Sequence, residues 1–225
     1  RMASLPLALV HLTRAPAAPA PGPPPLLLLL HGIGSNERDL FGLAPALDGR
    51  FYVASARAPI PLGPDAFAWF RLDFTPAGPV AERAEAERSR ETLVRFIGEA
   101  VAAYGLDPRR VYLLGFSQGA IMSLAVALTR PDLLAGVVAM SGRLPAPAAD
   151  VVEADAEALT GLPVLLVHGV ADQVLPLHHG REARDHFAAL PVALTYREYL
   201  MGHEVTPESL RDIAAWLAAR LDDRR

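Results

Sequence analysis

Cysteine is absent from the 225 residues. Its absence excludes disulfides, thiolate metal centres, iron–sulfur clusters and a cysteine nucleophile. Lysine is absent as well, all 21 basic residues being arginine, so neither a lysine Schiff base nor a phosphate-binding P-loop lysine can operate. Long hydrophobic runs are missing: the most apolar stretch, Leu26–Leu30, falls far short of the ~20 residues a spanning helix needs, and stable membrane insertion is not expected. Strong charge of either sign is missing too. The net charge is −4 and the pI about 6.0, which gives no electrostatic footprint for nucleic acid. The start has no charged segment followed by an apolar stretch and an A-x-A cleavage site, so the expected compartment is the cytoplasm. Arg1 precedes Met2 and reads as an added residue.

Apolar material is plentiful. Hydrophobic residues make up 52% and charged residues 20% of the chain, a balance that excludes disorder. The length suits one domain over 1–225, burying about 70% of its unfolded surface. Short apolar runs bounded by breakers, Leu26–Leu30, Val111–Leu114, Gly136–Met140 and Val164–Val167, read as strands buried on both faces, as in a parallel sheet. Leu5–Leu12 and Phe51–Ala54 read as further strands, and Ala193–Tyr199 alternates as a last one. Between them lie helix candidates: Glu37–Leu47, an amphipathic Val80–Tyr104 ending at Gly105, an apolar Gln118–Leu128, Arg181–Ala189, and a terminal helix through Leu210, Ile213, Leu217 and Leu221. Alternating strands and helices predict an α/β fold with a mostly parallel central sheet flanked by helices. Thr13–Pro25 reads as a proline-rich loop and Ala56–Pro79 as a long one, a length that usually carries function.

Gly115-Phe116-Ser117-Gln118-Gly119 is the strongest chemical signal. It fits G-x-S-x-G between a buried strand and a buried helix, the context of a nucleophile elbow. A serine hydroxyl needs a base, and the base an orienting carboxylate. In the chain order that accompanies such an elbow, acid and histidine follow the serine. Asp172, just past the Val164–Val167 strand, fits the acid; Asp150 and Asp155 precede that strand and Asp185 lies in a helix. His203, between the last strand and the last helix, fits the base, whereas His168 closes a core strand and reads as structural. His178 and His179 make a weak metal pair, because neighbours on a helix do not face one point. An oxyanion needs two preorganised donors. The N–H of Gln118 and that of Ile33, in the His31-Gly32-Ile33-Gly34 loop, are the candidates, with His31 supporting that loop.

These motifs, together with Asn36-Glu37-Arg38-Asp39-Leu40, Ala68-Trp69-Phe70, Met140-Ser141-Gly142, His168-Gly169-Val170-Ala171-Asp172 and Gly202-His203-Glu204, resemble the phospholipase/carboxylesterase family, which includes acyl-protein thioesterases. The resemblance implies an α/β-hydrolase fold without a large cap domain. It implies a serine carboxylesterase acting on short- to medium-chain esters through Ser117, Asp172 and His203, with Ile33 and Gln118 as oxyanion donors. An acyl-thioesterase or lysophospholipase would share that machinery; a non-catalytic binding module on the same scaffold is the rival from another class. It also places Trp69-Phe70 beside the acyl groove. Leu72, Val174, Leu175 and Met201 join them as substrate-binding candidates by their place near strand ends. The expected partner is a small-molecule ester, with no metal or organic cofactor, and the assembly a monomer or homodimer.

Overall fold

The structure, a computed structural model, describes residues 7–18, 21–76, 78–145 and 155–222. The start of the expected Leu5–Leu12 strand and Arg1 lie outside them. A seven-stranded sheet runs β1 (His11–Arg14), β3 (Tyr52–Ala56), β2 (Leu26–Leu30), β8 (Val111–Phe116), β9 (Gly136–Met140), β10 (Pro163–Gly169), β11 (Ala193–Tyr199). Every pairing is parallel except β1 with β3. The edge strand expected over Leu5–Leu12 therefore sits later, where His11 pairs with Ala56.

Leu26–Leu30 shows why the continuous apolar runs form this sheet. All five leucines are fully buried. Leu26, Leu28 and Leu30 join one core and Leu27 and Leu29 the other, as alternation across a strand demands. Each buried leucine contributes about 1.5–3 kcal/mol. The first core is closed by α1 (Arg83–Tyr104), α2 (Gln118–Thr129) and α3 (Leu177–Ala188). The second is closed by a 3-10 turn, Leu40–Ala46, and α4 (Pro207–Asp222). The 3-10 turn replaces the helix expected over Glu37–Leu47; Pro45 inside it cannot continue an α-helical ladder. α1 stops at Gly105, whose left-handed φ of 63° suits a glycine C-cap.

The expected long loop Ala56–Pro79 is instead two hairpins. β4 (Ile60–Gly63) pairs with β5 (Ala66–Ala68), and β6 (Leu72–Thr75) with β7 (Gly78–Ala81), both antiparallel. Among the described residues no helical cap is inserted here.

After β2 the chain moves outward to β3 on one side; from β8 it moves outward through β9 to β11 on the other. The loops after β2 and β8 therefore diverge and leave a crevice at the strand ends, the place where open parallel sheets bind ligands. At the opposite end of the sheet, Arg50 Nη1 donates to Asp222 Oδ1 at 2.6 Å, which brings the end of α4 to the floor beneath β3.

Candidate active site

Ser117 follows β8 directly and has φ 54°, ψ −116°, a conformation costing on the order of 1–3 kcal/mol for a residue with a Cβ. The turn closes because of its glycines. A Cβ on Gly115 would lie 2.3 Å from the Gly119 carbonyl oxygen, and one on Gly119 2.0 Å from that of Leu30. Strand, elbow and helix approach too closely for any side chain at either position.

The structure brings the three sequence candidates together. His203 Nε2 lies 2.9 Å from Ser117 Oγ, and His203 Nδ1 lies 2.7 Å from Asp172 Oδ2. A carboxylate only accepts, so Nδ1 carries the hydrogen and Nε2 presents its lone pair to the serine hydroxyl. The other carboxylate oxygen, Oδ1, accepts the N–H groups of Val174 at 2.9 Å and Leu175 at 2.8 Å. The Asp172 side chain is fully buried. His168 is buried behind it and donates from Nε2 to the Leu175 carbonyl at 2.7 Å, which closes the turn that supplies those two N–H groups. Gly169 and Gly180 make room for this arrangement: a Cβ on Gly180 would stand 2.6 Å from His168 Nδ1, and one on Gly169 2.3 Å from the Gly202 oxygen.

On the other flank of Ser117 the loop after β2 passes close by; a Cβ on Gly32 would be 3.3 Å from Ser117 Cβ. Among the described residues no protein acceptor takes the Ile33 or Gln118 N–H. The loop is braced from below. His31 Nε2 accepts the Ala58 N–H at 3.0 Å, so its hydrogen sits on Nδ1 and goes to the Gly32 carbonyl at 2.7 Å. Burial holds the His31 pKa below its usual value, which keeps the ring neutral in that role. The β4–β5 hairpin adds Gly34 N–H to Phe67 O at 2.8 Å and Phe67 N–H to Ser35 O at 2.9 Å. Glu37, beside the loop, is clamped by Arg57 through two 2.7 Å bonds, and the guanidinium holds its carboxyl down to about 2.

The substrate-binding candidates are scattered. Trp69 and Phe70 are buried in the core and are not open groove walls. Trp69 Nε1 donates to the His31 carbonyl at 2.9 Å, and the Gln118 side-chain amide links Trp69 N–H (2.7 Å) to Phe70 O (2.6 Å). Trp69 thus braces the β2 loop, and the Phe70 carbonyl holds the Gln118 amide that bonds to the Trp69 backbone. Met201 is buried in the second core, Leu72 and Leu175 are half-buried, and Val174 is exposed. Instead, a groove of about 310 Å³ beside the histidine is lined by Asp39, Leu40, Leu43, Phe116, His203, Glu204 and Val205, none of them among the six. The Phe116 ring tilts against the His203 imidazole at 4.9 Å. Phe116, Glu204 and Val205 stand beside Ser117 and His203 in the sequence, and that adjacency was the available signal. His178 and His179, expected to point apart, converge at the first turn of α3; with Glu182 their ligand atoms lie within 4.8 Å of one another.

Fold and site together define an α/β-hydrolase with a serine, histidine and aspartate in hydrogen-bonded sequence. Comparison with known proteins agrees. The phospholipase/carboxylesterase family matches residues 16–221. A rice (Oryza sativa subsp. japonica) protein named a probable inactive carboxylesterase is 28% identical over 201 residues, covering 84% of this chain and 81% of its own. Acyl-protein thioesterase 1 of Eremothecium gossypii is 27% identical over 208 residues, covering 87% of each. The crystal structure of esterase PE8 is 30% identical and superposes with a TM-score of 0.78 over 96% of this chain and 99% of that one. The chain belongs to the phospholipase/carboxylesterase family, and carboxylic ester hydrolysis is the activity that this membership indicates. Among the described residues no helix is long and apolar enough to cross a membrane.

Proposed function

We propose that the chain hydrolyses short- to medium-chain carboxylic esters through an acyl-enzyme on Ser117. Ser117 Oγ attacks the ester carbonyl carbon while its proton passes to His203 Nε2. Asp172 holds the imidazole in the required tautomer and stabilises the imidazolium. The Ile33 and Gln118 N–H groups donate to the oxyanion, each such donor being worth about 10²–10³ in kcat. His203 then protonates the leaving alkoxide as the carbon–oxygen bond breaks. Water, deprotonated by the same nitrogen, attacks the acyl-enzyme and releases the acid and free Ser117.

The observation that carries this reading is the unbroken path from Ser117 Oγ through His203 to the buried Asp172, at 2.9 and 2.7 Å. It favours an active enzyme over a binding module on the same scaffold, although the rice relative bears the name of an inactive one. The same reading takes 1–225 as one domain, a monomer or homodimer in the cytoplasm that needs no metal or organic cofactor. Acyl-thioester hydrolysis is the second reading, favoured by the Eremothecium gossypii relative; the lysophospholipase alternative shares the machinery.

The test is a series of p-nitrophenyl esters from acetate to palmitate beside a palmitoyl-thioester peptide and a lysophospholipid. The expected optimum lies between acetate and hexanoate, and rapid quenching should leave the acyl group on the Ser117 peptide in mass spectra. An acyl group on another residue removes Ser117 as nucleophile. A thioester turned over faster than every oxygen ester selects the second reading.

A further inference from the structure

The general acid must reach the leaving oxygen, so the alcohol half of an ester extends past His203, away from the Ile33 and Gln118 N–H groups. The 310 Å³ groove beside His203 is lined also by Asp39, Leu40 and Leu43, from the segment that follows the β2 loop. Leu40, Leu43, Val205 and Phe116 give it apolar and aromatic surface, and Asp39 and Glu204 add two carboxylates.

Neither carboxylate is neutralised. Asp39 Oδ2 accepts from Ser35 Oγ at 2.8 Å and Glu204 Oε1 from the Gly202 N–H at 3.3 Å. Among the described residues neither forms an ion pair. Arg38, next to Asp39, pairs with Asp65 at 3.4 Å, and Arg197, seven residues before Glu204, pairs with Asp212 at 3.6 Å. Two unpaired carboxylates lining one groove with an aromatic ring suit a cation, and repel a carboxylate or phosphate at the same distance from the ester.

Building on the proposed reaction, we infer that this groove is the leaving-group subsite and that it selects esters of cationic amino alcohols over neutral and anionic ones. Both carboxylates are exposed, so the preference is moderate and salt-sensitive. A five- to tenfold advantage, about 1–1.4 kcal/mol, is the scale for two charges acting through solvent.

Three butyrate esters test it: butyrylcholine, its neutral carbon isostere 3,3-dimethylbutyl butyrate, and the smaller anionic 3-butyryloxypropanoate. The readout is the ratio of kcat/KM for the cationic to the neutral ester, which cancels losses common to both. The ratio should be about five to ten at low salt, fall towards one in Asp39→Asn/Glu204→Gln, and fall likewise in the wild type at about 1 M salt, where the Debye length is near 3 Å. The anionic ester should be the slowest and gain most from the double substitution. A wild-type ratio of one, or a ratio untouched by the double substitution, overturns the subsite while neutral-ester turnover leaves the proposed reaction standing. If no ester is turned over, the reaction itself fails, and calorimetric binding of choline against 3,3-dimethylbutanol decides the subsite without turnover: equal binding overturns it.

Discussion

Ser117 has two unlike flanks. Towards the β2 loop the backbone on either side of the exposed Ile33 is braced. His31, Trp69, the Gln118 side chain and the β4–β5 hairpin hold the backbone through bonds of 2.6–3.0 Å, and His31, Gly32, Trp69 and Phe70 are all buried. Between His203 and the Leu40–Ala46 turn the wall is a groove whose carboxylates face water, and Leu200, three residues before the histidine, is 95% exposed. The difference follows the chemistry. An oxyanion has one geometry, and donors aimed at it act best when they need no reorganisation. A leaving alcohol comes in many shapes, and its side needs only one fixed atom, His203 Nε2. Asp172, with both oxygens occupied, fixes that atom from below.

The largest effect should come where the flanks meet. Ser117→Ala and His203→Ala should each lower kcat on the order of 10⁴-fold or more, and the double substitution should lower it little further, because the two act as a unit. Additive losses would mean that the hydrogen bond between them is incidental.

Glycine substitutions should separate the flanks by stability. Gly119→Ala should cost more than about 3 kcal/mol, since overpacking against rigid backbone exceeds the usual range. Gly202→Ala, whose Cβ would meet nothing closer than 3.9 Å, should change stability by less than about 0.5 kcal/mol. Equal melting temperatures for the two variants would erase the contrast.

Trp69→Phe should cost about 1–3 kcal/mol, by leaving the buried His31 carbonyl without its donor. The acyl-chain profile should stay as in the wild type, because the side chain is part of the core. A shifted chain-length optimum would return Trp69 to the substrate groove.

The smallest effect is on pH. The His31 pKa is lowered by burial, so the unfolded chain binds this proton more readily than the folded one. The contribution is complete above the ordinary value of about 6.5 and is lost as pH falls through the folded value. The melting temperature should therefore drop on acidification from about pH 7 to pH 5, and His31→Asn should drop less steeply over the same interval. Parallel slopes would show that the proton enters elsewhere.

Much of this was legible beforehand, for identifiable reasons. Leu26–Leu30 and Gly136–Met140 are continuous apolar runs between breakers, and a parallel sheet leaves such runs little alternative. The elbow announced itself because Gly115 and Gly119 have no room for side chains. The hairpins over 60–81 escaped because their strands are three or four residues long, too short for alternation to register, with Pro61 and Pro79 inside them. Trp69 and Phe70 were assigned to the groove because aromatics near a site attract that reading; nothing local says whether a ring faces ligand or core. Leu40 and Leu43 could not be connected with His203 from sequence, since only the tertiary fold brings the 3-10 turn beside the loop after β11.

The contact between Arg50 and Asp222 has a practical side. It leaves α4 ending at the floor of the sheet, at the pole opposite the serine. A tether grafted beyond Asp222 would therefore hold the molecule on a bead or electrode with its crevice turned outward. With no lysine side chain for amine coupling to use, the grafted tether would be the main point of attachment, and a film of the immobilised enzyme should keep most crevices open to passing ester.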